Sequence, residues 1–160
     1  MSRASKTVQD SRVTLSALMG PQDANAHGNV HGGVIMKMVD EAGALVAMRH
    51  ARMPVVTVAI DSMTFMEPIL LGNLVMCHAE LTYVGRSSME VRVEVIAENP
   101  LLGQSQVTNS AYLVYVALGS DGHPAAVPEL IYETADQHKR AEEARQRQAY
   151  RKQQRDRETT

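Results

Sequence analysis

Tryptophan is absent from the 160 residues, and phenylalanine and cysteine occur once each. With Cys77 alone no intrachain disulfide can form, which suits a reducing compartment. No apolar run approaches the ~20 residues that a membrane-spanning helix needs. Residues 1–10 lack the apolar stretch of a signal peptide, so a cytoplasmic setting with no membrane span is expected. Nor does one sign of charge dominate: a formal net charge of -2 calls for no nucleic-acid or membrane partner. A Gly-x-Ser-x-Gly elbow is missing, which leaves a serine hydrolase unsupported. No Gly-Lys-Ser/Thr follows the glycines near residue 32, which excludes a phosphate-binding P-loop.

What is present fits one domain with a sizeable core, since hydrophobic residues make up 44% and charged residues 21%. The ten methionines offer an adaptable apolar interior of the kind that suits flexible aliphatic chains. Charge is unevenly spread. Residues 136–160 carry 8 of the 16 basic residues, which leaves an acidic body before them.

The chain divides into a polar leader (1–10), a body (11–131) and a charged tail (132–160). Residues 13–19 read as a short strand, and 21–29 as a loop of turn formers. From Gly32 to Arg49 the pattern is helical. Val34, Ile35, Met38, Val39, Ala42, Leu45, Val46 and Met48 cover most of its circumference, as in a helix buried on several sides. Pro54 stops it, and Arg49 and His50 suit its C-terminal dipole. Strands follow at 55–65, 74–83, 89–98 and 107–118. Between Met89 and Ala97 apolar and charged residues alternate almost without fault. Short connections imply an antiparallel meander, so the layout is α+β: five strands curled around one helix. Five strands cover such a helix incompletely, which predicts a partner subunit. The tail reads as a solvated or partly disordered helix.

Chemistry concentrates in Asp23-Ala24-Asn25-Ala26-His27-Gly28-Asn29-Val30-His31-Gly32-Gly33, which leads directly into the helix. Glycines at a helix start let a ligand approach, and free amides at the positive dipole end suit an oxygen gaining charge. A ligand-free turn reads equally well. Asp40 lies seven positions after Gly33, on roughly the same helical face. An unpaired carboxylate is costly inside an apolar helix, so Asp40 has a partner or works as a general base. Glu41 points about 100° away and reads as an ion-pair or subunit contact, with Lys37 one turn before it. His27 and His31 lack a third ligand at a recognisable spacing, so no metal site is expected. Cys77 reads as a core thiol, with His78 on the opposite strand face. Gly85-Arg86-Ser87-Ser88 could hold a phosphate, although an ordinary hairpin turn is the stronger reading of so short a signal.

Together with Met38-Val39-Asp40-Glu41-Ala42-Gly43 and Arg49-His50, that loop strongly resembles the acyl-CoA thioesterases of the hotdog fold. The resemblance is nearest to cytosolic acyl-CoA hydrolases related to the mammalian brain enzyme. Gly85–Val91 and Ala111–Ala117 look like later strands of the same family, and the match runs from about residue 10 to 130. It implies a long helix wrapped by a five-stranded antiparallel sheet, joined edge to edge in homodimers and then in a trimer of dimers. It also implies fatty acyl-CoA hydrolysis at the dimer interface. Asn25 would come from one subunit and Asp40, the base or less readily the nucleophile, from its neighbour. A backbone amide of Gly32 or Gly33 would polarise the carbonyl. His31, Arg86, Ser87 and Ser88 would contact coenzyme A, which enters as substrate, with no separate cofactor. Two rivals are a hotdog hydratase or dehydratase using His31 with Glu41 or Asp40, and a non-catalytic acyl-CoA binding protein. The proline-rich segment associated with the first is missing before the helix. Asn25 and Asp40 together fit the hydrolase.

Overall fold

A computed structural model describes residues 2–159. Five strands form the main sheet: β2 (Val13–Leu18), β3 (Val55–Ile60), β4 (Leu74–Val84), β5 (Ser88–Asn99) and β6 (Gln104–Ala117). Their order is β2-β4-β5-β6-β3, antiparallel throughout, so β2 and β3 are the edges. The sheet curls around α1 (Gly32–Ala51). Alternation in β5 sends Met89, Val91, Val93 and Val95 inward against Ile35, Val39, Ala42 and Val46 of α1. Each fully buried side chain of this kind contributes about 1.5–3 kcal/mol.

Helix α1 begins at His31, whose ring Nδ1 accepts the Gly33 N–H at 2.9 Å. It ends where Arg52 turns left-handed at φ 56° and returns its N–H to the Met48 carbonyl. Lys6 reaches across to donate to the carbonyls of Arg49 and His50, satisfying acceptors that the helix end leaves open. The described part of the expected polar leader, residues 2–10, thus has a structural place. Ser5–Thr7 forms β1, paired in parallel with β7 (Glu129–Ile131), and Val8 is buried.

One expectation needs correction, and of the two readings of the tail the helical one holds. The strand expected over 55–65 ends at Ile60, and 61–68 run without regular structure to the Ile69 backbone, which accepts from Val30. Its β-branched run stops there, and the Asp61 carboxylate pairs with Arg151 of the tail. The charged tail is an ordered helix, α2 (Ala135–Glu158), lying on the outer face of the sheet. Thr134 caps its start by accepting the Gln137 N–H, and Gln137 in turn accepts from Glu133 N. Only Gln137, Ala141 and Ala144 are buried, so its apolar face is indeed small. Arginines hold it instead: Arg140 on Glu80, Arg147 on Glu90, and Arg151 on both Asp61 and Glu90.

Candidate active site

Asp40 sits in the middle of α1, facing edge strand β3. Its Oδ1 accepts the Thr57 hydroxyl at 2.9 Å and the Tyr115 hydroxyl at 3.0 Å. Tyr115 also donates to the Asp40 backbone carbonyl at 3.0 Å. Among the described residues Oδ2 has no hydrogen-bond partner. Asp40 is half-buried rather than enclosed, because β3 has no strand beyond it and Thr57 is exposed on that open side. The Tyr115 side chain is fully buried. Burial pushes its phenol well above the usual tyrosine range, and the Asp40 charge and hydrogen bond add to the rise. It is therefore a neutral donor. Two hydroxyls fix one carboxylate oxygen and leave the other without a hydrogen bond among the described residues.

Asn25 lies in the loop before α1 and lines a second cleft with Asn29, Gly32, Phe65 and Glu67. Its Oδ1 is taken by the backbone N–H groups of His27 (2.9 Å) and Asn29 (3.1 Å), which shape the loop. The amide Nδ2 is the end left for a ligand. Gly32 faces the Phe65 ring, and its N–H, the first of the helix, has no partner among the described residues. Gly33 differs from expectation. Its N–H is already occupied by the His31 ring, which leaves the Gly32 N–H as the open one of the two. His31 accordingly serves as the helix cap, with only its far ring edge open to a substrate.

Within one chain these groups do not converge. Gly32 and Asp40 are eight residues apart on one helix, about 12 Å along its axis. The Gly85–Ser88 hairpin is at the other end of α1. It is closed by Gly85 N to Ser88 O at 2.8 Å, and the Arg86 carbonyl accepts from Val127 N, next to Pro128 where His50 is anchored. The Arg86 side chain is exposed, while Ser87 and Ser88 are half-buried. Ser88 points to the outer sheet face, into a groove beside Val116 and Arg151. Glu41 pairs with Lys37 at 3.7 Å on the exposed side of α1. Cys77 is a buried core thiol, its pKa pushed up to about 11 by burial. His78 points away and meets Thr14 at 2.8 Å. Among the described residues no group of three or more His, Cys, Asp or Glu side chains could hold a metal. Nor is any helix of those residues long and apolar enough to cross a membrane.

Thr57 and Tyr115 escaped the sequence reading. The available signal for Thr57 was a lone hydroxyl in the apolar run Val55–Ile60, but nothing local ties it to residue 40.

Known proteins share this fold. The model of the thioesterase superfamily matches residues 27–104. A cytosolic acyl coenzyme A thioester hydrolase of Rattus norvegicus is 40% identical over 144 residues, 88% of this chain, and the chain spans 38% of that relative's length. The crystal structure of an apo-hexameric acyl-CoA thioesterase superposes with a TM-score of 0.90 at 35% identity, covering 94% of this chain and 97% of that one. An acyl-CoA hydrolase from Staphylococcus aureus, solved with butyryl coenzyme A, coenzyme A and coenzyme A disulfide, gives 0.89 at 33%, covering 97% and 94%. The staphylococcal enzyme has also been solved with an asparagine, an aspartate and a threonine each replaced by alanine. Their positions are separated by 15 and then 17 residues.

Proposed function

The chain belongs to the thioesterase superfamily, and from that premise we propose that it hydrolyses acyl-CoA thioesters to a free acid and coenzyme A. The observation that carries this reading is the Asp40 carboxylate, held through Oδ1 by Thr57 and Tyr115 with Oδ2 open. Asn25, Asp40 and Thr57 repeat the residue types and the 15- and 17-residue intervals of the three staphylococcal variants, which supports giving them the central roles.

Asp40 Oδ2 takes a proton from water as its oxygen attacks the thioester carbonyl. The Gly32 N–H, at the positive end of α1, receives the developing oxyanion, and Asn25 Nδ2 orients the water or the thioester. Collapse of the tetrahedral intermediate expels the coenzyme A thiolate. A placed base typically contributes ~10²–10⁴-fold and one oxyanion donor about 3 kcal/mol, sufficient for an acyl group already activated as a thioester.

The separation of Asn25 from Asp40 supports a site shared by two copies, Asn25 and Gly32 from one and Asp40 with Thr57 from the other. The β3 edge suits that pairing, since Val56, Val58 and Ile60 are 42%, 55% and 43% exposed beside an open backbone. Antiparallel pairing of β3 with its copy sets the end of one α1 beside the start of the other. That brings the Arg86-Ser87-Ser88 hairpin of one copy, with His31, toward the coenzyme A phosphates at its neighbour's entrance. The hexameric relative supports a trimer of such dimers, and the cytosolic relative supports a cytosolic setting.

Thiol release from acetyl-, hexanoyl- and palmitoyl-CoA tests the proposal. The wild type should turn over at least one of them, and Asp40→Asn should lose roughly a hundredfold or more. Absence of turnover on every chain length, or full activity in Asp40→Asn, would overturn it.

A further inference from the structure

Strand β3 carries Thr57 and is one of the two edge strands of the single chain's sheet. Within the chain, among the described residues, it pairs with β6 alone, and a bulge interrupts that ladder between Thr57 and Ala59. Its last backbone tie is Asp61 N to the Tyr112 carbonyl at 2.9 Å, beyond which the chain has no regular structure until the isolated bridge at Leu70. How Thr57 meets Asp40 therefore depends on how firmly that end is held.

Helix α2 grips both halves of this tie. Arg151 binds the Asp61 carboxylate through two nitrogens, Nε to Oδ1 at 2.9 Å and Nη2 to Oδ2 at 2.7 Å. The Arg147 guanidinium stacks 3.7 Å over the Tyr112 ring. Both arginines meet on Glu90, which is only 3% exposed and is further fixed by the Thr82 hydroxyl at 2.7 Å. Two guanidinium groups face two carboxylates, so the cluster is neutral and its geometry closed.

We propose that Arg151 is a positioning residue for the Asp40 site, acting through Asp61 and β3 on the Thr57 hydroxyl. The proposal rests on the reading of Asp40 as the base. It gives the basic C-terminal helix a role in the site, because the arginines that strap α2 across the sheet also fix one strand end. Removing Arg151 frees Asp61 without detaching α2, whose first half is anchored separately by the Thr134 cap, by Ala141 and Ala144, and by Arg140 on Glu80. Arg147 remains to neutralise Glu90.

Steady-state hydrolysis by Arg151→Gln and Arg151→Lys, each with Thr57 intact and in a Thr57→Ala background, reads the effect. Arg151→Gln should lower kcat about tenfold with KM within about twofold, and Arg151→Lys should restore most of the loss. With Thr57 already absent, the same substitution should have little further effect, because residues acting in series are not additive. An unchanged kcat, or an equal loss with and without Thr57, overturns the proposal. Amide exchange over residues 55–61 reads the same strand without any turnover. It should quicken about tenfold in Arg151→Gln while β5 stays protected, and unchanged exchange there overturns the proposal as well. A wild type that releases no thiol contradicts the thioesterase reading, which this exchange measurement keeps distinct from the positioning of β3.

Discussion

A Cβ at position 43 would overlap the Tyr115 hydroxyl, the group that shares Asp40 Oδ1 with Thr57. Gly43 follows Asp40 by just under one turn, on the buried side of α1, and glycine in mid-helix costs about 1 kcal/mol relative to alanine. Here that cost makes room for the phenol to reach the carboxylate. Alanine at 43 would gain helix propensity but force the ring aside, and overpacking of this kind typically costs about 1–3 kcal/mol. Gly43→Ala should therefore lower both stability and kcat. In a Tyr115→Phe background the closest atom is gone, so the stability loss from Gly43→Ala should shrink. Thermal unfolding of the four proteins checks this. An equal loss in both backgrounds would mean that the helix, not the hydroxyl, carries the effect.

At the scale of elements, the C-terminal end of α1 is closed by a buried imidazole. His50 Nε2 lies 2.8 Å from the Pro128 carbonyl, while Nδ1 is buried with no hydrogen-bond partner among the described residues. Burial holds its pKa below the usual histidine value. The positive charges of Lys6 and Arg3 act the same way, and the Pro128 carbonyl and Asp10 oppose them. The sign of the linkage follows. The unfolded chain binds this proton near pH 6.5 and the folded chain only at lower pH, so protons favour unfolding. The stability that His50 lends is complete above about pH 6.5 and is lost as pH falls toward the folded value. Between pH 7 and pH 5 the Tm of the wild type should fall more steeply than that of His50→Asn. Parallel slopes would assign the acid loss to other groups. The same helix shows a division of labour between its ends. The Gly32 end leaves an amide open for chemistry, whereas the His50 end is tied to β1, β7 and the leader by Lys6 and Pro128.

Across the whole molecule, the features legible in the sequence are those set by neighbours along the chain. Met89–Ala97 alternates because one face of β5 meets α1, and the glycines before α1 mark where its open amides lie. Asp40 stood out as a carboxylate in an apolar helix, whereas Asn25 was singled out only by the family resemblance. What stayed hidden is set by partners far along the chain. Thr57 meets a carboxylate 17 residues before it, Tyr115 the same one 75 residues away, and Arg151 a carboxylate 90 residues away. The end of β3 and the docking of α2 depend on such pairs, and no local pattern encodes them. A site shared by two copies, as proposed, fits the placement of Asn25 and Asp40 on different parts of one helix-and-loop unit. Shared sites make a prediction that a self-contained site cannot. Asn25→Ala and Asp40→Asn should each be nearly inactive alone. Co-expressed in equal amounts they should assemble at random, with about half of the dimers mixed and one of the two sites in each mixed dimer free of both substitutions. Activity should return to about a quarter of the wild-type value per chain. Recovery of that size requires the asparagine of one copy to serve the aspartate of another, and a co-expressed pair as inactive as its parents would return both residues to a single chain.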